Sequence, residues 1–354
     1  MRGKRVKQQN KDSSRKITLL VCLLISLGGL IFFTLTIGSA KLGLSEVMCV
    51  IAAKIPVVGR HFYENIDPID QKIVLEIRLP RIILAVIVGS ALSVTGVIFQ
   101  GLFRNPMADP YVLGTSSGAA LGATFAVIVN SRFTFLGLSS RPIFAFVGAI
   151  FATILVYNIA RVGEKPSITV LILSGIAVSA FLSAITSLLL FFRQEEMGRI
   201  IFWMMGGFSY CRWSEVKMIL PYLIIGLLYT GRFSRELNLL LLGEEKAHQL
   251  GLEVGKLQKR LIFAAAFLVA AAVSVSGVIG FVGLVVPHII RLLIGPDHRF
   301  LLPVSAVAGG VFLLIADTLA RIIISPAELP VGVLTSFVGG LFFIYLLRKS
   351  KKAG

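Results

Sequence analysis

Charge is what this sequence has least of. Asp, Glu, Lys and Arg together make up 15% of the 354 residues, where a soluble domain carries roughly 25%. With 56% hydrophobic residues and a mean hydropathy of +0.88, the chain cannot cover a water-facing exterior. A soluble enzyme, a nucleic-acid-binding domain and a disordered tail protein are therefore excluded as readings of the whole chain. What remains is a polytopic membrane protein. Cysteine is scarce as well: Cys22, Cys49 and Cys211 lie far apart and form no CxxC pair, so neither a disulfide framework nor a zinc site is encoded. Cys22 and Cys211 sit in or beside apolar runs and read as small buried hydrophobes.

Acidic residues are nearly missing from the apolar runs. Chains of them mark proton and ion pathways through membranes, yet Asp317 is the one carboxylate in the middle of a run. Arg321 follows four residues later on the same helical face, a spacing that favours a local ion pair over a relay. His288, after Pro287, reads as a hydrogen-bonded packing residue. A nucleotide-binding motif is also missing. The nearest approach, Gly251-Leu-Glu-Val-Gly255-Lys256-Leu257, lacks both the GxxxxGK spacing and the Ser or Thr that would hold magnesium. A transporter of this composition must borrow its energy from another chain or act as a passive channel.

Long apolar runs are what the sequence does have. The first, 17–38, follows a basic tail (1–16) and exceeds the 7–15 residues of a signal-peptide core, so it reads as a retained span. Others of about bilayer length cover 82–103, 111–130, 142–160, 167–192, 301–324 and 329–347, with a shorter one containing Pro221 at 214–231. The stretch 261–294 has no charge until Arg291. As one helix it would reach about 51 Å, well beyond a hydrocarbon core of roughly 30 Å. It must bend, and Gly277, Gly280 and Gly283 predict the turn, with a short second leg kinked by Pro287. The pattern predicts an all-α fold of about ten transmembrane helices, with one short broken helix pair near 277–294.

The net charge of +17 reads as topology rather than as a nucleic-acid partner. With both termini inside, the tails and the loops 102–110, 160–166, 231–260 and 291–299 hold 22 of the 35 Lys and Arg. Basic residues accumulate on the cytoplasmic side. The organisation expected is a basic cytoplasmic tail (1–16), one transmembrane domain (17–348) with its largest inside loop at 232–259, and a second basic tail (349–354). Gly114, Gly118 and Gly122 form a small-xxx-small stripe suited to close helix packing. Within the large loop, glycines at 243, 251 and 255 bracket a helix of about two turns, too short to span and too polar to insert. Presenting Leu250 and Leu252, it suits a cleft in a soluble partner, the alternative being a solvated loop that packs on itself.

A set of motifs in fixed order then carries a resemblance. Arg78-Leu79-Pro80-Arg81 opens the second span, and Gln100-Gly-Leu-Phe-Arg104-Asn-Pro-Met-Ala-Asp109-Pro-Tyr-Val-Leu-Gly114 follows it. Trp203-Met-Met-Gly-Gly207, Leu242-Gly243 and Leu250-Gly251 come next. Gly280-Phe-Val-Gly-Leu-Val-Val-Pro-His288, Ala316-Asp-Thr-Leu-Ala-Arg321 and Glu328-Leu-Pro-Val-Gly332 complete the set. From about residue 76 to 348 the chain resembles the FecCD family, permease subunits of ABC importers for iron–siderophore, haem and cobalamin.

The resemblance implies a ten-span subunit of a bacterial cell membrane that pairs with a second copy or a paralogue. Cytoplasmic ATPase subunits would use the ATP, and an extracytoplasmic binding protein would deliver the chelate. The chain itself would bind no metal or cofactor and have no catalytic residue. Gly243, Glu244, Ala247, Leu250 and Gly251 match the family's coupling loop, and a left-handed backbone is expected at Gly251. Ser167 and Thr169 fall where the family places a cytoplasmic gate, though Ser167 equally suits a helix N-cap. Arg78, Arg81 and Arg321 match positions that meet the binding protein. The alternatives are headgroup anchoring for Arg78 and Arg81, and pairing of Arg321 with Asp317. Two other classes stay open: an ion-coupled secondary transporter and a membrane-embedded enzyme.

Overall fold

The computed structural model describes residues 2–38, 42–53, 67–129, 134–135, 138–162, 165–209 and 211–351. Part of the 39–75 segment and the last three residues of the 349–354 tail lie outside the described residues. The architecture is all-α. In chain order the helices are α1 (Arg2–Thr36), α2 (Leu44–Ala52), α3 (Pro68–Leu102), α4 (Thr115–Ile128), α5 (Ser140–Ala160), α6 (Ile168–Phe192) and α7 (Gln194–Met204). They continue with α8 (Trp213–Gly231), α9 (Ser234–Leu240), α10 (Glu244–Gln249), α11 (Val254–Ser276), α12 (Val282–Ile294), α13 (His298–Ile322) and α14 (Val331–Lys351). Two minimal antiparallel pairs, Thr134–Phe135 with Leu138–Ser139 and Arg161–Val162 with Lys165–Pro166, close the loops at either end of α5.

Each apolar run of the sequence falls on one of these helices except 261–294, which divides between α11 and α12. Among the described residues six of these helices are long and apolar enough to cross a membrane; α8 with α9, bent by 54°, makes a seventh if taken as one span. The apolar parts of α4, α12 and α14 are shorter. Pro221 lies inside α8 without ending it.

The long stretch breaks where glycine permits it. Helix α11 ends at Ser276, and Gly277 turns the chain with φ +68°, a conformation L side chains rarely adopt. The 13-residue α12 then runs from Val282 with Pro287 inside it. Gly283 lies within α12 rather than in the turn. Its role is close approach: a Cβ there would stand 2.6 Å from the Leu92 carbonyl oxygen of α3.

Helix α3 is the central post and is almost wholly buried, whereas α1 runs along the periphery and is largely exposed. Cys22 on α1 is accordingly exposed, not buried as its apolar surroundings suggest. Helices α3 and α13 pack backbone to backbone, since a Cβ on Gly89 would meet the Gly309 carbonyl oxygen at 2.3 Å. The Ser90 hydroxyl adds a 2.8 Å bond to the Ala306 carbonyl.

The glycine stripe divides in function. Gly118 and Gly122 press α4 onto α5, while Gly114 sits left-handed just before the helix. A Cβ on Gly118 would come within 2.3 Å of the Gly148 carbonyl oxygen, so valine at 118 must push two helices apart. Gly118→Val should destabilise the protein by on the order of 1–3 kcal/mol. A lowered thermal midpoint in detergent checks this, and an unchanged midpoint would refute the close approach.

Candidate functional site

The bundle has two chemically distinct ends. At one, Arg104 lies beside Gly243, His298 beside Gly101, and the Lys16 ammonium over the Phe300 ring. At the other, the start of α3 meets the end of α13.

That second end holds a buried charge cluster. The Arg81 guanidinium grips Asp317 through Nη2 at 2.9 Å and through Nε at 3.1 Å, and its Nη1 donates to both Glu328 oxygens at 2.9 Å. Arg321 stands by the same Asp317 at 3.3 Å as an ion pair, its Nε lacking hydrogen-bond geometry. Arg321 Nη1 donates to the Ile37 carbonyl at 3.1 Å, and Arg78 Nη1 donates to the Leu35 carbonyl. Two arginines thus satisfy carbonyls at the end of α1 that the helix itself leaves open. A π-helical segment at Ile73–Arg78 precedes this point in α3, and the Trp213 indole donates to its Leu75 carbonyl at 2.9 Å.

The Ser209 hydroxyl bonds Glu328 at 2.8 Å. Burial alone would raise the Glu328 carboxyl, but the Arg81 charge, hydrogen bonds from Arg81 and Ser209, and the Arg321 charge hold it below the usual glutamate range. Its contribution is therefore present above the ordinary glutamate pKa and is lost as the pH falls through the lowered value.

The sequence expectation brought Arg78, Arg81 and Arg321 to one end, and there the structure places them together. It also turns them inward: they are 5%, 8% and 9% exposed. Asp317 answers Arg81 from 236 positions away as well as its own neighbour Arg321. Glu328 completes the cluster; in the sequence it stood only as the first residue of the Glu328-Leu-Pro-Val-Gly332 motif, with no role of its own. Its signal was arithmetic, because three arginines at one end of an apolar bundle need more than one carboxylate.

At the first end, α10 is a six-residue helix held between left-handed glycines, Gly243 at φ +104° and Gly251 at φ +87°. Ala247 is fully buried and Glu244 accepts from Gln258 Nε2 at 3.2 Å, which fixes one side of the loop. Leu250 is 62% exposed and Leu242 55%, while Leu252 turns inward to the core. The loop is tied to the bundle through α9: Asn238 donates to Asp297 at 2.7 Å and accepts from the His298 backbone at 2.8 Å. Asp297 and His298 begin α13, so one rod connects this loop to the arginine cluster.

Ser167 is the N-cap residue of α6 by backbone geometry, but its side chain makes no capping bond. It is half-buried. Thr169 is exposed, on a face of α6 that continues through Leu173 and Ile176. His288 packs edge-on against Phe342 with its Nδ1 unpartnered, a packing residue without the hydrogen bond expected there. Among the described residues no group of three His, Cys, Asp or Glu comes together.

Comparison with known proteins gives the family. A family model described as the FecCD transport family matches residues 22–349. The chain is 47% identical over 279 residues to the cobalamin import system permease protein BtuC of Halobacterium salinarum, covering 78% of this chain and 74% of that protein. It is 46% identical over 284 residues to the hemin transport system permease protein HmuU of Yersinia pestis, covering 78% and 84%. A solved structure of an inward-facing ABC transporter assigned to the metal-chelate type superposes with a TM-score of 0.78 at 33% identity, covering 94% of this chain and 99% of that one.

Proposed function

The chain belongs to the FecCD transport family, and on that premise we propose that it is the permease subunit of an ATP-binding-cassette importer that brings an iron chelate into the cytoplasm. A siderophore complex is the first cargo to test, with haem and cobalamin as the related ones. The observation that carries this reading is the family match across residues 22–349. The geometry of the 243–251 loop supports it: a rigid short helix, buried on one side, offering Leu250 to a soluble partner.

In this reading two cytoplasmic ATPase subunits bind and hydrolyse ATP, and a second permease copy or paralogue completes the path. The chain catalyses no covalent step. It carries no cofactor of its own, because the metal arrives already wrapped by its chelator. The membrane is the bacterial cytoplasmic membrane, with both basic tails inside in keeping with the bias of Lys and Arg. An ion-coupled mechanism is disfavoured because Asp317, the carboxylate in the middle of α13, is fully buried and spent on two arginines.

An extracytoplasmic binding protein delivers the chelate at the arginine end. Since the guanidinium groups of Arg78, Arg81 and Arg321 face inward, they act on docking through the loops they brace. Ser167 and Thr169 are proposed to line the cytoplasmic gate, with Thr169 the one that reaches the open face of α6. A cysteine introduced by Thr169→Cys, with the native cysteines replaced, should label several-fold faster in one nucleotide state of the assembled transporter than in another. Equal rates in every state would remove the gate from this position. ATPase stimulation of the assembled complex, measured across siderophores, haem and cobalamin, tests the function itself. Stimulation by one of them is expected, and none by any would overturn the reading.

A further inference from the structure

A cavity of about 700 Å³ opens at the arginine end, between the start of α5, α7, the start of α8 and the end of α11. That volume lies within the range of small-ligand sites, roughly 300–1,000 Å³. Trp203 and Phe202 give it apolar wall, and Arg141, Arg199 and Arg212 are among its lining residues. Against them stands one lining carboxylate, Glu215. One of its oxygens already accepts from the Arg212 backbone and the Ser214 hydroxyl, each at 2.9 Å. Arg199 also reaches Glu196 at 3.1 Å, an exposed pair one turn along α7; such surface pairs hold weakly. Ser209, which donates to Glu328 in the arginine cluster, is part of the same wall. The cavity therefore adjoins the cluster that joins α3 to α13.

We propose that this cavity receives the anionic groups of the cargo, so that the importer's chelate is one bearing carboxylates or an oxyanion rather than a neutral complex. Guanidinium is suited to the task because its planar fork binds a carboxylate with two parallel hydrogen bonds. A concave wall dominated by one sign of charge also concentrates counter-charged solute, by factors of roughly 10 to 1,000. The inference deepens the permease reading and rests on it.

Thiol chemistry tests the cavity independently of the cargo. The full chain carries Ser139→Cys as a reporter on the cavity wall, with Cys22→Ala, Cys49→Ala and Cys211→Ala. It is reacted with an anionic sulfonate-bearing methanethiosulfonate and with its cationic trimethylammonium counterpart. Relative to a free thiol, the anionic reagent should be favoured about tenfold or more. Adding Arg199→Gln and Arg212→Gln should bring the ratio close to that of the free thiol, while Arg199→Lys with Arg212→Lys should keep it high. Ferric citrate should protect the reporter and the neutral chelate ferrichrome should not.

A ratio equal to that of the free thiol in the parent, or equal protection by both chelates, overturns the proposal. Should the Gln pair fail to fold, the parent ratio and the protection by ferric citrate decide. ATP-driven uptake by the assembled transporter is followed in parallel. Import of a chelate with no charge preference at the reporter overturns the cavity assignment alone. A strong preference with no import of any chelate overturns the permease reading, and with it the cavity's role in import, while the anion-selective cavity itself stands.

Discussion

Asp317→Ala should cost the fold on the order of 3–5 kcal/mol, the usual penalty for removing one partner of a buried ion pair. Asp317 is fully buried and answers both Arg81 and Arg321, so its loss leaves Arg81 with Glu328 alone and takes from Arg321 the carboxylate it pairs with. The expected result is a large drop in purified monodisperse protein and in thermal midpoint. Arg81→Met combined with Asp317→Leu should recover part of that stability, since replacing both partners by apolar groups of similar size is often neutral. Glu328→Gln should cost less, because Glu328 is partly exposed and keeps its Ser209 bond. If Asp317→Ala folds as well as the parent and loses only affinity for the binding protein, the arginines are a docking patch and not a brace.

The cluster also shows where sequence reading stops. The helices were legible because about 20 consecutive apolar residues leave little else in a bilayer, and the length of the 261–294 run required a bend that its glycines placed near 277. Which side of a helix faces inward was not legible. Lipid is as apolar as the protein core, so the run around Cys22 on peripheral α1 reads like the run around Ala91 in central α3. The same ambiguity hid the fate of Arg78 and Arg81. An arginine at a span end looks alike in sequence whether it reaches outward to headgroups or folds inward onto Asp317. The partnership of Arg81 with Asp317 is decided by the packing of α3 on α13 through Gly89 and Gly309, and no local pattern encodes it. Gly283 was placed in the turn for its flexibility, whereas the fold uses its lack of a side chain. The short helix between Gly243 and Gly251 was the most legible local feature, because polar glycine-bracketed helices stand out in an apolar chain.

Gly251→Val should lower the amount of chelate imported per ATP hydrolysed by about tenfold while leaving the protein folded. Gly251 has φ +87°, and a Cβ there would meet nothing within 4 Å. The cost is therefore backbone strain rather than collision, about 1–2 kcal/mol for a side chain held left-handed. That strain falls on the turn that fixes Leu250, whose exposed side chain is the proposed contact with the ATPase. Gly251→Asn separates the two causes: asparagine tolerates a left-handed backbone and should retain most of the coupling, although it is no smaller than valine. Uptake and coupling ratio equal to the parent in Gly251→Val would show that the rigid turn is not what links the subunits.

The central claim is that this chain moves a chelate using energy from a separate ATPase subunit bound at the 243–251 loop. Its most direct test is chelate uptake into proteoliposomes containing the chain with its ATPase and binding protein, with ATP and an ion gradient varied independently. Accumulation that requires hydrolysable ATP, persists after the proton and sodium gradients are collapsed, and disappears when the ATPase is left out is the predicted result. Accumulation driven by an ion gradient in the absence of the ATPase would contradict it.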